Sequence, residues 1–294
     1  MEKFMIKRTK GETIYAVFNT IIITAVLICA IYPCIYVLFA SMSEASELYG
    51  GKLLLWPKGF NPGNYLAVLK NKMIWTGYAN TFFYAGVGTT LSVLFTVVAA
   101  YCLSRKDLPG KNAIVMAMVF TMYFSGGMIA NYILVRSLHL LDTRAAMILP
   151  GLINTYNFII VLTYFKGLPE SLEEAAMIDG ANEYKILFRM LMPLAKPVIS
   201  VIALYYLVAI WNNFMNALLY INSPEKYPLQ LVLREILYQG SMEQQTTSQI
   251  DTAAMQQETI KYAVMVVSTL PVICVYPFIQ RYFVKGIMIG AVKG

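Results

Sequence analysis

Long apolar stretches separated by short polar segments dominate the pattern of this chain, and six of them qualify as membrane spans. They cover 14–40, 80–103, 112–135, 145–165, 197–221 and 260–283. A helix needs about 20 mostly apolar residues to cross the hydrocarbon core, and none of the six holds a run of charges. Their apolarity is continuous, whereas the strands of a membrane barrel are alternating segments of about ten residues. Lipid offers no partner for backbone N–H and C=O groups, so such segments are helical. The pattern predicts an all-α, polytopic protein with six transmembrane helices in a single membrane domain, 1–294.

Composition strengthens this. Hydrophobic residues make up 58% of the chain and charged ones 13%, about half the usual charge content of soluble proteins. The mean hydropathy is +0.59. Lys3, Lys7, Arg8 and Lys10 resemble the basic start of a signal peptide. The apolar stretch that follows is well beyond the ~7–15 residues of such a peptide, so it reads as a retained first helix.

The net charge of +7 raises the possibility of a nucleic-acid partner, until the charges are located. With the N-terminus inside, the inner segments carry 14 of the 23 basic residues and the longer outer segments carry 9. Basic residues collect on cytoplasmic loops, which places both termini in the cytoplasm and removes the need for nucleic acid. Cys29, Cys34, Cys102 and Cys274 lie in apolar segments without a CxxC pair and read as packing residues. His139, near Arg136 and Asp142, is the single histidine. Without a ligand cluster it makes neither a metal site nor a catalytic one.

Three loops are long: 41–79 and 222–259 outside, and 166–196 inside. The inner loop has the chemistry of two helices around a sharp turn. Ser171 and Glu174 have capping-box spacing behind Pro169, predicting a helix over 172–179. Gly180 suits a left-handed stop. Asn182 caps a second helix through Lys185, Phe188 and Leu191, ending near Pro193. Ala175, Ala176, Met177 and Ile178 form an apolar patch on this polar loop. From spacing alone, the patch is either a docking surface or a face packed on the helix bundle.

These residues carry a family resemblance. Glu174-Ala175-Ala176, then Gly180, then Met190-Leu191-Met192-Pro193 is similar to the EAA motif of ABC importer permeases, with Met in place of the usual Ile and Leu. Asn61-Pro62-Gly63-Asn64-Tyr65, Asn80-Thr81 and Trp211-Asn212-Asn213-Phe214 resemble elements of the carbohydrate-uptake branch, MalG-type. The tail from Gln280 to Gly294 is similar to the subgroup named for LplC and YtcP, which takes up oligosaccharides and polysaccharide fragments. The resemblance covers essentially the whole chain.

It implies a type I ABC importer transmembrane domain in the bacterial plasma membrane. The expected partners are a second permease subunit in a heterodimer, an ATPase dimer on the cytoplasmic side and an extracellular solute-binding lipoprotein. It also implies that Glu174, Ala175, Ala176, Met177, Asp179 and Gly180 couple this chain to the ATPase. ATP and Mg would sit on that partner, since the chain has no GxxxxGK[ST] loop. Lys285, Gly286, Gly290 and Gly294 form a tail expected to contact the ATPase. No residue is expected to be catalytic.

Asn131, Asn154, Asn157, Asn212 and Asn216 are amides within the spans. They are candidates for the carbohydrate path, against the more ordinary role of interhelical hydrogen bonding. Tyr205, Tyr206, Trp211 and Tyr220 could stack on sugar rings, although aromatics near span ends more often anchor at the interface. A secondary transporter would usually show intramembrane charge and broken helices, and a membrane enzyme would show a convergent nucleophile and base. An ABC permease for a non-sugar solute is separated from this reading by the wider resemblance alone.

Overall fold

A computed structural model describes residues 9–49, 56–57, 59–246, 259–271 and 273–274. Among these residues regular structure is helical, and no strand occurs. The first elements are α1 (Lys10–Met42), α2 (Ala45–Tyr49), α3 (Gly63–Lys70) and α4 (Lys72–Ser104). Of the described helices, α1 and α4 are each long and apolar enough to cross a bilayer unaided. The chain falls into two compact units, one comprising 1–70 and 237–267, the other 71–236 and 268–294.

In the first unit, α1 opens with a full capping box between Thr9 and Glu12, which satisfies two otherwise orphaned N–H groups. Its apolar side chains remain largely exposed along the helix, among them Ile14, Phe18, Ile21 and Val26. A helix that is apolar all round and uncovered fits a lipid-facing span. The Asn61-to-Tyr65 element staples the end of this helix to α3. Buried Asn64 donates from Nδ2 to the carbonyls of Ser41 (3.1 Å) and Ser43 (3.4 Å). The Tyr65 hydroxyl lies 2.6 Å from Ser41 Oγ.

The second unit departs from the expectation of continuous spans. α4 begins eight residues before the predicted start at 80, because Asn71 caps it by accepting from Met73 N at 2.9 Å. The predicted third span, 112–135, is occupied by α5 (Lys111–Tyr123) and α6 (Gly127–Ser137), which meet at 119°. The fourth is α7 (Ala145–Ile148), a 3-10 turn over Leu149–Gly151, and α8 (Thr155–Lys166), bent by 50°. Hydropathy reports apolarity rather than continuity. The first break, 124–126, leads into Gly127 at φ +78°, a conformation glycine accepts freely, and the second, 152–154, follows Pro150-Gly151 and ends at the Asn154 cap.

The loop that follows contains α9 (Glu170–Ile178) and α10 (Glu183–Lys185), a π-helical stretch over Ile186–Leu191, and α11 (Met192–Leu194). The segment Glu183–Leu194 meets α12 (Lys196–Trp211) at 83°. The predicted fifth span, 197–221, is divided at Asn212, beyond which lies α13 (Met215–Tyr220). Next come α14 (Leu229–Thr246), within the predicted outer loop, and α15 (Thr259–Pro271), a shorter apolar helix at the start of the predicted sixth span. Most of 272–283 and all four tail residues, Lys285, Gly286, Gly290 and Gly294, lie outside the described residues.

The core of the second unit lies where α4 packs against α8 and α12. Val97, Phe158, Val161, Leu191 and Ile202 are completely buried there or nearly so. Burying such side chains contributes roughly 1.5–3 kcal/mol each relative to exposure in water, an upper figure where the alternative environment is lipid.

Candidate functional site

The loop 166–196 is built as two helices about a left-handed turn. α9 starts with Glu170 and has Pro169 as its N-cap, with no side-chain cap. The capping box expected from Ser171 and Glu174 is therefore not formed, because the helix begins earlier and both residues lie inside it. Proline suits this entry, since its missing N–H is one that the helix start would leave orphaned anyway. Glu170 and Glu173 in the first turn favour the positive end of the helix dipole.

The stop is as the sequence predicts. Gly180 has φ +75°. Its N–H donates to Met177 O at 3.0 Å and the Ala181 N–H to Ala176 O at 2.9 Å, the paired bonds of a Schellman motif. Asn182 then caps α10, its Oδ1 accepting from Lys185 N at 2.9 Å. The second helix is not uniformly α-helical. Pro193 can donate no hydrogen bond, and the turn ahead of it widens to a π-helix over Ile186–Leu191.

The two alanines of the patch face different ways. Ala176 is half-buried and, with Ala181, packs against the cluster around Leu187 and Phe165. Glu174, Ala175, Asp179 and Gly180 are exposed. Met177 is 43% exposed and Ile178 86%. The outward face of α9 thus carries Ser171, Glu174, Ala175 and Ile178, spaced as one helix face.

A cluster of charges, not anticipated from the sequence, ties this loop to α4. Arg105, the C-cap of α4, pairs through Nη1 with Glu173 of α9 and through Nη2 with Glu183 Oε1 at 3.1 Å. Its guanidinium lies 5.6 Å from the Tyr101 ring centroid, and the Tyr101 hydroxyl donates to Glu183. Lys106 pairs with Glu170. Lys111 Nζ closes the turn by donating to Arg105 O at 2.6 Å. The one available signal in the sequence was the Arg105-Lys106 pair after a span, which topology alone already explained. An open cleft of about 520 Å3 runs between these residues, with Arg105, Lys106 and Lys111 set against Glu170, Glu173 and Glu174. The mixed signs give it no single-sign field of the kind that concentrates phosphate.

A second polar clamp grips the other end of α4. Asn80 Nδ2 donates to the carbonyls of Glu225 (2.7 Å) and Tyr227 (3.1 Å). Tyr84 donates to Lys226 O at 2.8 Å, and the Leu229 N–H donates to Thr81 Oγ1 at 2.8 Å. Gly77 allows the backbones to meet, since a Cβ there would lie 3.0 Å from Leu229 Cα. Asp142 accepts from the N–H groups of Asn222 (3.1 Å) and Ser223 (3.0 Å), and from the Ser223 hydroxyl at 2.5 Å. Lys226 Nζ is 3.1 Å from its carboxylate. The Ser223 bonds, with help from Lys226, hold the Asp142 carboxyl well below the usual carboxylate range.

The candidate path amides separate. Asn131 is exposed on α6. Asn154 is the N-cap of α8, accepting from the N–H of buried Asn157 at 3.1 Å. Asn212 and Asn216 are not one turn apart on a single helix. Asn212 ends α12, donating to Val208 O at 3.0 Å, while Asn213 Oδ1 accepts from Asn216 N at 3.1 Å. Among the four aromatics, Tyr206 is committed to structure, its hydroxyl meeting Thr96 Oγ1 at 2.7 Å and the Asn154 N–H at 2.8 Å. Tyr220 and Trp211 are also buried, while Tyr205 is 36% exposed. Among the described residues no group of three or more potential ligands is placed to hold a metal ion.

Comparison with known proteins agrees with this architecture. Protein LplC of Bacillus subtilis (strain 168) is 40% identical over 286 residues, covering 97% of each chain. The polygalacturonan/rhamnogalacturonan transport system permease protein YtcP of the same organism is 42% identical over 269 residues, covering 91% of this chain and 94% of that one. Among solved structures, a chain of a bacterial ABC transporter that imports the acidic polysaccharide alginate superposes with a TM-score of 0.86 at 33% identity. That match covers 95% of this chain and 100% of the other. The breaks in the spans, a trait associated above with secondary transporters, therefore occur in an ABC permease fold. Residues 92–289 match the model of the binding-protein-dependent transport system inner membrane component, and the chain belongs to that family.

Proposed function

We propose that this chain is one permease subunit of an ATP-driven importer for oligosaccharides or polysaccharide fragments in the bacterial plasma membrane. A second permease subunit completes the path, and an external binding protein delivers the sugar. An ATPase dimer, holding ATP and Mg, docks on α9 from the cytoplasm. The observation that carries this reading is α9 itself: a short helix with an exposed face at Ala175 and Ile178, terminated at Gly180 and anchored to α4 from behind. The sugar class rests on the relatives that transport polygalacturonan, rhamnogalacturonan and alginate.

The mechanism is alternating access, in which closure of the ATPase pair moves α9 and the permease subunits rock about the sugar. Asn131, Asn154 and Asn212 are exposed and remain the better candidates to meet the path. Asn157 and Asn216 serve the helix starts through their backbone N–H groups.

The test is uptake by the reconstituted complex, with its ATPase and binding protein, of neutral and acidic oligosaccharide panels. ATP-dependent uptake of at least one sugar is expected; uptake of none, with transport of an amino acid or phosphate, rejects the sugar class. Thiol labelling fixes the topology. Cysteines at Glu225 and Asp107, both exposed, should label from opposite sides of the membrane, with Asp107 reached only after permeabilisation.

A further inference from the structure

We infer that Arg105 is the positioning residue of the α9–α10 loop, spanning the Gly180 turn and joining both helices to the end of α4. The inference rests on α9 being the docking element, and it assigns the part that carries movement away from it.

A single guanidinium reaches Glu173, before the turn, and Glu183, after it. Without that bridge, α9 is held by the edge packing of Ala176 and Ala181, the Schellman bonds and the exposed Lys106–Glu170 pair. The Arg105 side chain is 19% exposed and Glu173 23%, so this arm is shielded from screening in a way that surface pairs are not, whereas Glu183, 57% exposed, is held through Tyr101 as well as Arg105. Tyr101 fixes the bridge from below, by its ring under the guanidinium and its hydroxyl on Glu183. The fork geometry is specific to arginine, because lysine is a point charge and cannot hold two carboxylates in fixed directions. Arg105 directly follows α4, a 33-residue helix, so a displacement of the loop is delivered to a rigid rod. At about 1.5 Å per residue, that rod places Arg105 roughly 37 Å from Asn80, which grips 225–227.

Arg105 touches neither of the exposed residues Ala175 and Ile178 that would meet the ATPase. Losing it should spare assembly and damage transmission. In the reconstituted complex, Arg105→Gln is expected to retain ATPase capture and basal hydrolysis. Stimulation by the sugar-loaded binding protein, and uptake per ATP hydrolysed, should fall about tenfold, the usual consequence of losing one charged hydrogen-bonding group. Arg105→Lys should be intermediate. Glu173→Gln, which breaks one arm of the bridge, should be no more severe than Arg105→Gln, and the double variant should be no worse than Arg105→Gln alone, because Glu173 acts through Arg105. A separate arm, Ala175→Arg, tests docking alone: loss of capture there upholds the docking reading whatever Arg105 does. Normal stimulation in Arg105→Gln, or multiplying defects in the double variant, overturns the assignment.

Discussion

At one end of α4, Arg105 and Lys106 reach the carboxylates of Glu170, Glu173 and Glu183. At the other end, Asn80, Thr81 and Tyr84 reach mainly backbone groups between Glu225 and Leu229. The difference is in tolerance. Side-chain ion pairs have long flexible stems and can follow a partner that moves, whereas bonds to several successive backbone groups fix register residue by residue. The carboxylate end suits the coupling role proposed for the loop. The backbone end suits a segment that must present one shape, and Asp142 adds to that rigidity. It sits at φ +56°, a left-handed conformation that Asp adopts more readily than most residues.

The largest effect expected at the carboxylate end is that of Gly180→Val. A Cβ at Gly180 meets nothing within 4 Å, so crowding is not the obstacle. The cost is the left-handed backbone, about 1–2 kcal/mol for an ordinary L-residue and more for a β-branched one. Gly180→Val should abolish uptake and ATPase capture while membrane levels stay near normal. Gly180→Asn should recover much of both, because Asn enters that region readily. Equal loss with Asn and Val would mean that the turn conformation is not what matters.

At the backbone end, Asp142→Asn should loosen the segment 222–226, read as faster proteolysis of that segment with ATPase capture unchanged. The pH dependence has a definite sign. The Asp142 carboxyl is depressed in the folded protein, so its contribution is fully present above the unfolded value of about 3.9 and is lost as pH falls through the lower folded value. Protection should therefore be flat from neutral pH down to about 5 and decline only in strong acid. A loss centred near neutrality would contradict the assignment.

The smallest effect expected is that of Lys106→Ala. Its pair with Glu170 lies in water, with side chains 73% and 61% exposed, and a pair so open to solvent is screened and contributes little. Uptake should change by less than about threefold. A defect as large as that of Arg105→Gln would erase the distinction between a shielded bridge and a surface pair.

The parts of this molecule legible in the sequence were those written in local chemistry. Gly180 and Asn182 announced the turn and the second helix because positive φ and capping belong to single residues. α1 and α4 followed from continuous apolarity. The breaks at 124–126, 149–154 and 212–214 did not, because the flanking helices are as apolar as unbroken ones. The split between Ala175 and Ala176 was likewise hidden, since which face of α9 lies inward depends on the cluster around Leu187. The Arg105 bridge joins the end of α4 to a loop distant in sequence, 68 residues on at Glu173 and 78 at Glu183, so no local pattern encodes it. Asn154 and Asn212 read as path amides, yet each also serves a helix end, a role visible only once the spans are known to break there.

The proposed coupling depends most on the outward face of α9 being the surface that meets the ATPase. The direct measurement is ATPase capture by purified Ala175→Arg and Ile178→Asp variants, beside Ala176→Arg. Ala175 and Ile178 are exposed and Ala176 is half-buried toward its own chain. The first two should be present in the membrane at normal levels, and their α9–α10 loops should resist protease as the parent does, with capture reduced at least tenfold. Ala176→Arg should instead loosen the loop itself, read as faster proteolysis near Gly180. Full ATPase capture and normal sugar uptake by both Ala175→Arg and Ile178→Asp would contradict the docking role.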